Sequence, residues 1–413
     1  MSTLLVIGYV WPEPNSSAAG TRMMQLLEFF KSQDYQITFA TTAAKTVHMV
    51  NLEDYHIDAV SIELNNSSFD KFIKDLNPEI VIFDRFMMEE QFGWRVSETC
   101  PSALKILDTE DLHFLRDLRE QEFKRSQTKN IATEISELAK RELASIYRCD
   151  LSLIISEKEL QLLEETYNIP PSLLFYLPFL LEDLRDINLP KYEERQNFVS
   201  IGNFRHQPNY NAVLYLKEEI WPIIKTKFPE AEMHIYGAYP SQKVTQLQNT
   251  KDRFLIKGWA KDSKEVISKA RVNLAALRFG AGLKGKLIES MQCGTPSVTT
   301  SIGAEGMNCE LPWNGFIKDS PEDFANAAVE LYTNKNIWQQ SQNNGFEILS
   351  RRFSRSYHSS RFKEGLKELK KNLVAHRNNN IVGQILTHHQ LKSTYYLSKF
   401  IETKTRLEFL KNK

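Results

Sequence analysis

Residues 278–289 combine the residue types that bind phosphate groups. A strand-like run ends there, three glycines follow, and a helix-like pattern begins. Glycines let a ligand approach the backbone closely, and the first amides of a helix point towards an anion at the positive end of the helix dipole. Lys284 and Lys286 add positive charge to the same stretch. We therefore expect a pyrophosphate to bind here, with Gly280 and Gly282 in the loop around it.

Glu289 lies in the first turns of the same predicted helix. A carboxylate next to a bound phosphate is repelled unless it binds another part of the ligand. The vicinal hydroxyl groups of a sugar are suitable hydrogen-bond partners for it. The stretch therefore predicts a ligand that contains both a diphosphate and a sugar.

Two other interpretations of this stretch remain open. It also spells G-x-G-x-x-G through Gly280, Gly282 and Gly285, and Glu305 follows about twenty residues later, as a dinucleotide-binding fingerprint requires. Such a fingerprint usually follows the first strand of its domain, whereas this one follows the fourth. Alternatively, the glycines form a tight turn with a purely structural role.

Two further loops are candidate parts of the same site. Asn203 and Arg205 lie in the loop of residues 202–209, where an arginine could pair with the anion, although a solvated turn uses the same residue types. Trp259 follows Gly258 at a predicted strand end. Its indole could flank a base ring or serve ordinary packing.

Residues 108–111 carry candidate groups for a second substrate. The segment Asp-Thr-Glu-Asp follows a strand-like run, so Glu110 and Asp111 could orient an acceptor hydroxyl or take its proton. The alternative is that Asp or Thr caps the following helix. There is no D-x-D motif and no partnering histidine cluster, so we expect no metal site.

The elements that position these residues fall into two series. In both, apolar runs alternate with helix-period segments, which is typical of parallel sheets built from βαβ units. The first series has strand-like runs at residues 4–10, 36–40, 79–83, 104–107 and 151–155. The second series has them at residues 198–201, 232–236, 254–257, 272–277, 296–300 and 315–318.

A charged segment without apolar period, residues 183–197, separates the two series, and we place the boundary at Pro190. The sequence therefore predicts an α/β protein with two Rossmann-like, doubly wound parallel-sheet domains that face each other across a cleft. These domains span residues 1–190, which would bind the acceptor, and 191–355, and a helical segment follows at residues 356–413.

In a doubly wound sheet, ligands bind outside the carboxyl ends of the strands, where the strand order reverses. This rule selects the loops at residues 202–209 and 278–285 in the second domain and at residues 11–20 and 84–93 in the first. Ala19 and Gly20 are small, so that loop would let a substrate or the opposing domain come close.

Composition excludes several classes of protein. Of 413 residues 42% are apolar, which is ample for buried cores, and 52 basic residues balance 52 acidic ones, so no overall charge draws the chain to nucleic acid. No membrane-spanning run or signal peptide is evident, and the four cysteines lack metal-ligand spacing. We expect a cytoplasmic protein, with the basic residues 352–371 forming either a peripheral membrane contact or a solvated helix face.

The chain resembles the two-domain GT-B glycosyltransferases and, among them, the retaining glycosyltransferase family four. That family has the motif E-G-F-G-x-x-x-x-E followed by A-M-x-x-G-x-P-V-V. Residues 281–289 read A-G-L-K-G-K-L-I-E and are followed by S-M-Q-C-G-T-P-S-V. Residues 302–306, I-G-A-E-G, continue a form seen in a bacterial branch. The chain departs from the motif at Ala281, where the family has its first glutamate.

The resemblance implies roles for the residues of the second domain. Glu289 would hold the ribose of a nucleotide-sugar donor. Gly282, Leu283 and Lys284 would contact its diphosphate. Arg205 lies in the loop where the family commonly places a diphosphate-binding arginine, and Trp259 lies in the loop that borders the base.

In the first domain, Glu110 stands at the histidine of a His-Asp pair found in many relatives, and Glu110 and Asp111 would position the acceptor. The resemblance thus implies transfer of a sugar, with retention, from a nucleoside-diphosphate sugar to a glycan, lipid-linked or protein acceptor in glycan or polysaccharide synthesis. Neither a metal nor a cofactor would be needed. Lys284 and Arg205 would stabilise the leaving diphosphate. The alternatives are an NAD(P)-dependent oxidoreductase and a non-catalytic nucleotide-sugar sensor, which Ala281 would suit.

Overall fold

The computed structural model describes residues 2–125, 135–182 and 188–411, with the side chains of 389–391 excepted. Two parallel sheets organise these residues. The first contains β1 (Thr3–Gly8), β2 (Gln36–Thr41), β3 (Asp58–Ser61), β4 (Ile80–Asp84), β5 (Leu104–Asp108), β6 (Leu151–Ile154) and β7 (Leu174–Tyr176). The second contains β8 (Gln196–Ile201), β9 (Met233–Tyr236), β10 (Phe254–Gly258), β11 (Ala270–Ala275), β12 (Ser297–Thr299) and β13 (Gly315–Ile317).

The strand order confirms the predicted fold class. It is β3-β2-β1-β4-β5-β6-β7 in the first sheet and β10-β9-β8-β11-β12-β13 in the second. The order therefore reverses between β1 and β4 and between β8 and β11, as in doubly wound sheets. Every predicted strand is present, and β3 and β7 are additional. Both are short edge strands. The residues of β3 are mostly exposed, and β7 has only three residues within the apolar run of residues 173–181.

Helices cover both faces of the two sheets. Those that precede β8 are α1 (Ala18–Lys31), α2 (Ser68–Leu76), α3 (Phe86–Thr99), α4 (His113–Arg125), α5 (Glu137–Arg148) and α6 (Glu157–Gln161). Those of the second sheet are α7 (Gln207–Tyr215), α8 (Trp221–Lys227), α9 (Gln242–Thr245), α10 (Ser263–Lys269), α11 (Gly285–Gln292), α12 (Ser301–Ala304), α13 (Pro321–Thr333) and α14 (Lys335–Arg352). The last three are α15 (Arg355–Lys371), α16 (Leu373–Asn379) and α17 (Ile381–Lys411).

The first connecting helix illustrates how the sequence specifies these elements. The Ser17 hydroxyl caps α1 by accepting a hydrogen bond from the Gly20 amide at 3.0 Å. The apolar positions that recur at helical spacing, Met23, Leu26, Leu27 and Phe30, are all buried against the sheet. Two boundaries differ from the prediction: Ala19 and Gly20 lie in the first turn of α1 rather than in a loop, and α3 begins directly after β4.

The chain crosses between the two domains twice, and the crossings pair with each other. The Leu181 amide donates to the Phe353 carbonyl and the Arg355 amide donates to the Leu181 carbonyl, both at 2.8 Å. Beyond this pair, α15 returns to the first domain, where Phe362 packs on Phe29 with ring centroids 4.8 Å apart. Of the predicted linker, residues 183–187 lie outside the described residues, and its last two residues belong to β8. Among the helices in the described part of the chain, none is long and apolar enough to cross a bilayer.

Candidate active site

The two second-domain loops at the reversal of strand order meet, as the topology predicts. Lys286 Nζ donates a 2.7 Å hydrogen bond to Asn209 Oδ1, which joins the first turn of α11, directly after residues 278–285, to residues 202–209. Gly282 has φ of 63°, and a Cβ at this position would lie 2.7 Å from the Cβ of Asp111 in the first domain. Glycine is therefore required here both by conformation and by the closeness of the opposing domain.

The opposing domain also contacts the start of α11. A Cβ at Gly285 would lie 2.5 Å from the Cβ of Ala18 in the first turn of α1. The Leu287 and Ile288 amides of the first turn of α11 donate to the Lys284 carbonyl at 2.8 and 3.4 Å. Among the described hydrogen bonds, the Gly285 and Lys286 amides at the helix start have no such partner, as is usual for the first amides of a helix.

Lys284 and Lys286 are bonded to neutral oxygen atoms. Lys284 is buried, and its Nζ donates to the carbonyls of Ala281 at 3.1 Å and Gly282 at 2.6 Å. Burial lowers the pKa of Lys284 to about 8, against the attraction of two glutamates. Burial and repulsion by Lys284 lower the pKa of Lys286 to about 7. A bound anion would favour the charged ammonium forms of both lysines. The pair is therefore suited to binding an anion.

The other predicted donor-binding residues of the second domain surround this pair at different distances from it. Arg205 is exposed, and its guanidinium lies 3.5 Å from the centroid of the Tyr239 ring. The Asn203 side chain accepts a hydrogen bond from the Arg205 amide at 2.9 Å, so it shapes the loop. Leu283 is buried in the apolar cluster between the domains, so only its backbone is available to a ligand.

Trp259 lies in the loop that precedes α10, and Glu289 contacts the first residue of that helix. The Glu289 carboxylate accepts a hydrogen bond from the Ser263 hydroxyl, and burial raises the pKa of Glu289. The Trp259 side chain is 40% exposed, so it does not serve ordinary core packing. Its Nε1 donates to the Asn15 carbonyl at 3.2 Å, and its ring lies 4.5 Å from that of His48.

An acidic cluster lies at the carboxyl ends of the strands of the first domain. Asp84 and Asp108 pair in register on β4 and β5, and Glu110 follows two residues after Asp108. Arg22 binds Asp108 at 3.0 Å and Arg85 lies 3.5 Å from Asp84. Burial and repulsion by Asp108 raise the pKa of Glu110 well above its ordinary value. Glu110 Oε1 is buried without a hydrogen-bond partner.

The pKa of Asp111 is shifted in the opposite direction to that of Glu110. Burial opposes its ionisation, but attraction to Arg116 and His113 outweighs burial and holds the pKa of Asp111 below its usual range. Its side chain is hydrogen-bonded to the Arg116 guanidinium. The alternative that residues 108–111 cap α4 is wrong, because Glu142 accepts hydrogen bonds from the first amides of that helix, those of His113 at 3.1 Å and Phe114 at 2.9 Å.

Glu159 connects the two halves of the cleft, and sequence reasoning missed it. Its Oε1 accepts hydrogen bonds from the Gly282 amide at 2.8 Å and from the Leu112 amide at 3.1 Å. Burial and repulsion by Asp111 raise the pKa of Glu159 to about 8. The carboxyl of Glu159, which belongs to the first domain, therefore accepts the hydrogen bond of one amide in the loop of residues 278–285, the glycine loop. The available signal was its position shortly after β6, at the carboxyl edge of the sheet.

Arg119 makes the second polar contact between the domains. Its guanidinium donates to the Gly280 carbonyl at 2.8 Å and forms a bidentate ion pair with Glu305 at 2.8 and 2.9 Å. The dinucleotide interpretation needs Glu305 for a ribose, and this pairing uses that carboxylate for a contact between the domains. The loop also follows β11 and not the first strand of its domain. The geometry therefore does not favour an NAD(P) site.

Further residues of the cleft were also not singled out from the sequence. Tyr239 Oη donates to Glu13 Oε1 at 2.8 Å, and the exposed His206 interacts electrostatically with Asp111 and Arg116 across the cleft. Both lie in loops after strands β8 and β9. Within residues 2–125, 135–182 and 188–411, no group of three or more His, Cys, Asp or Glu side chains is arranged to hold a metal ion.

Comparisons with known proteins agree with this geometry. Residues 195–334 match the sequence model of the family described as Glycosyl transferases group 1. The search of curated protein sequences gives no match.

Solved structures with two such domains superpose over most of the chain. Sucrose-phosphate synthase from Thermosynechococcus elongatus is 15% identical with a TM-score of 0.67, over 89% of this chain and 99% of that one. TarM of S. aureus, solved with fondaparinux, α-GlcNAc-glycerol and UDP, is 10% identical with a TM-score of 0.68, over 88% and 99%. HepE of Anabaena, solved with UDP and glucose, is 13% identical with a TM-score of 0.66, over 89% and 100%. Residues 195–334 thus match the family model of the glycosyl transferases group 1, and the chain has the two-domain GT-B fold of these solved structures.

Proposed function

We propose that this protein is a glycosyltransferase that takes its sugar from a nucleoside-diphosphate donor. The donor would bind between the glycine loop, residues 278–285, and α11. The observation that carries the proposal is the pair of lysines at this loop, whose ammonium groups contact only neutral oxygens among the hydrogen bonds of the described residues. Removing a cation from water costs free energy that a bound diphosphate would offset. The UDP found with HepE and TarM supports the same class of ligand.

Each part of the donor would contact its own set of residues in the second domain. The diphosphate would lie at the Leu283 backbone and at Lys284 and Lys286, next to Gly282, whose amide donates to Glu159. The ribose would bind Glu289, whose carboxylate is held by a serine rather than by a cation. Gly280 gives the loop the turn that lets the ligand approach, with φ of 150°.

Arg205 and Trp259 would complete the donor site at its edges. Both side chains are exposed, and both are held by aromatic neighbours rather than by carboxylates. Arg205 would add charge to the diphosphate, with Asn203 shaping its loop. Trp259 would cover the base.

Transfer follows from the growth of charge on the leaving group. As the anomeric C–O bond breaks, negative charge collects on the diphosphate, and the lysines together with the α11 amides stabilise it in a cleft from which water is excluded. The acceptor oxygen bonds to the anomeric carbon, and its proton passes to a leaving phosphate oxygen. We propose that the configuration is retained, as the motif resemblance implies, and that the acceptor belongs to glycan or polysaccharide synthesis.

The acceptor would bind at the acidic cluster of the first domain. Burial and repulsion by Asp108 raise the pKa of Glu110 well above its ordinary value, which favours the neutral carboxyl, so this group would donate a hydrogen bond to the acceptor rather than act as a base. Asp111 is ionised and held by Arg116, so it would accept a hydrogen bond from an acceptor hydroxyl. Ala19 and Gly20 lie in the first turn of α1, where a Cβ at Gly20 would lie 2.4 Å from the Glu13 backbone, so the small size of Gly20 serves packing rather than room for an acceptor.

Calorimetry with UDP-, GDP-, ADP- and dTDP-sugars tests the donor, with NAD and NADP as controls. One nucleotide sugar should bind, and Glu289→Ala should weaken its binding at least about tenfold through loss of a charge-assisted hydrogen bond. Binding of NAD or NADP alone would contradict the proposal. Donor binding without transfer or hydrolysis would instead identify a sensor, the function that Ala281 favours.

A further inference from the structure

Three aromatic rings, here named the aromatic cluster, join the two domains beside the loops that follow β9 and β10. Tyr239 and Trp259 belong to the second domain, and His48 lies in the first domain, in the loop of residues 42–51 after β2. The His48 ring lies 4.5 Å from the Trp259 ring at an interplanar angle of 33°, and 5.1 Å from the Tyr239 ring at 75°. The cluster is therefore complete only when the two domains are together.

Hydrogen bonds attach both second-domain rings of the aromatic cluster to the first domain. Trp259 Nε1 donates to the Asn15 carbonyl at 3.2 Å, and Tyr239 Oη donates to Glu13 Oε1 at 2.8 Å. The Thr46 hydroxyl donates to the same carboxylate oxygen at 2.5 Å, which holds Glu13 in place. The first domain therefore sets the orientation of the indole and of the phenol.

Tyr239 connects the aromatic cluster to the proposed diphosphate site. Its backbone has φ of 56°, a left-handed conformation that is costly for a bulky residue and that neighbouring contacts must maintain. The Arg205 guanidinium lies 3.5 Å from the centroid of its ring. The strained backbone thus places one ring against both the first domain and an arginine assigned to the donor.

Trp259 keeps a large accessible surface despite these contacts. Its side chain is 40% exposed, although the His48 imidazole covers one side of the indole and Nε1 is bonded. An indole that is held in place and has an accessible face is a stacking platform for a nucleic base, because every base has a flat π surface. Glu289, the proposed ribose ligand, contacts Ser263 in the helix that directly follows this loop. The base and the ribose would therefore bind to neighbouring parts of the chain.

We propose that the base of the donor stacks on the accessible face of Trp259 and that His48 is the positioning residue of this stack. The inference rests on the proposed donor and adds that the first domain takes part in base binding. The imidazole and the indole are already in contact, so the base would use the opposite face of the indole. A nucleotide would therefore bind best when the domains are closed, whereas inorganic pyrophosphate, which has no base, would bind independently of His48.

Calorimetry of the full-length protein separates binding of the base from binding of the phosphates. UDP, GDP, ADP and dTDP are titrated, and the tightest of them is compared with inorganic pyrophosphate in each variant. His48→Ala should weaken nucleotide binding about fivefold, through loss of an aromatic contact, and should leave pyrophosphate binding unchanged. His48→Phe retains a ring and should bind the nucleotide as the wild type does. The matched control is Val47→Ala, which alters a neighbouring side chain that is 88% exposed and should change neither affinity.

A double-mutant cycle tests whether His48 acts through Trp259. Trp259→Ala should weaken nucleotide binding at least about tenfold, because base stacking is lost. His48→Ala should have no further effect in the Trp259→Ala background, since the ring that it positions is absent. A loss of the same size in both backgrounds would overturn the positioning role.

Two other results would overturn the inference and leave the proposed donor intact. One is a nucleotide affinity that is equal in the wild type and in His48→Ala. The other is tighter nucleotide binding by His48→Ala, which would mean that the imidazole occupies the place of the base. If neither pyrophosphate nor any of the nucleotides bound to the wild type, the proposed donor site itself would be contradicted, and this inference with it.

Discussion

An acidic cluster of the first domain and a pair of lysines of the second domain face each other across the cleft. The charges of the two groups are compensated differently. On the first domain, Asp84 and Asp108 each have an arginine at hand, so their charge is compensated within the domain. On the second domain, Lys284 and Lys286 contact only amide and carbonyl oxygens in their described hydrogen bonds. Two carboxylates of the acidic side therefore have cations of their own domain, whereas neither lysine has a carboxylate among its described hydrogen bonds.

The difference assigns a substrate to each side. A cluster with internal counter-charges is suited to orienting a neutral hydroxyl compound, since no net charge has to be supplied by the ligand. A cationic pair with depressed pKa values is suited to a ligand that brings two negative phosphates. The most direct test is to remove charge from each side in turn.

Removing a lysine should have the largest effect. In Lys284→Ala the leaving diphosphate loses a positioned cation, so kcat should fall about 100- to 1000-fold, equivalent to about 3–4 kcal/mol. Folding should be unimpaired, because the buried ammonium group contributes desolvation cost in the absence of donor. The assay is turnover of the purified variant, with the exposed Lys243→Ala as control. Turnover equal to that of the wild type would remove Lys284 from the mechanism.

Glu159 is the contact between the two sides, and its loss should have the next largest effect. Glu159→Ala leaves the buried amides of Leu112 and Gly282 without an acceptor, so stability should fall by about 1–3 kcal/mol in urea denaturation. The domains should also separate more readily, which small-angle scattering would report as a larger radius of gyration. Glu159→Gln retains a carbonyl oxygen and should resemble the wild type. If both variants lose stability equally, the charge of the carboxylate would be the essential feature instead.

The pH dependence of donor binding should reveal the lysine pair. The pKa of Lys286 is about 7 in the free protein, and a bound diphosphate favours the protonated form. Affinity should therefore be level below pH 7 and should fall by up to about tenfold per pH unit above it, with proton uptake on binding. Calorimetry in buffers of different ionisation enthalpy measures that uptake.

The free energy of unfolding of the donor-free protein should change with pH in the opposite direction to donor affinity. The unfolded chain holds the Lys286 proton up to the ordinary lysine value of 10.5, so this residue makes donor-free stability rise between about pH 7 and 10.5. Lys286→Arg stays charged throughout this range and should flatten the pH dependence of donor affinity. An unchanged profile in this variant would mean that another group titrates.

The sequence predicted the fold more completely than the site. Apolar runs identify buried parallel strands well, and every such run became a strand, because a strand covered on both faces must be apolar throughout. The glycine loop was also located correctly, because its requirement is local: backbone conformation and a helix start.

What the sequence missed depends on contacts between distant segments. Glu159 and Gly282 are separated by 123 positions, and Arg119 and Glu305 by 186. No periodicity or spacing encodes such pairs, since they arise only when the two domains meet. Residues 108–111 show the same limitation, because the carboxylate that caps α4 comes from a different helix.

The smallest effect should come from Glu110→Gln, and it tests the acidic side. Folding raises the pKa of Glu110 above the ordinary value of 4.5 that it has in the unfolded chain, so this residue makes the wild type lose stability as pH rises above that value. Glutamine resembles the neutral acid and does not ionise. The variant should therefore gain on the order of 1 kcal/mol over the wild type at pH 8 in urea denaturation and should retain most of its turnover.

The matched variant is Glu89→Gln, which neutralises a buried carboxylate that pairs with Arg148. It should lose stability, because the buried ion pair with the Arg148 guanidinium would be lost. Opposite signs for the two substitutions would establish that Glu110 is held as a neutral hydrogen-bond donor. If Glu110→Gln abolished turnover while Lys284→Ala did not, the proton acceptor of the reaction would lie on the first domain rather than on the leaving phosphate.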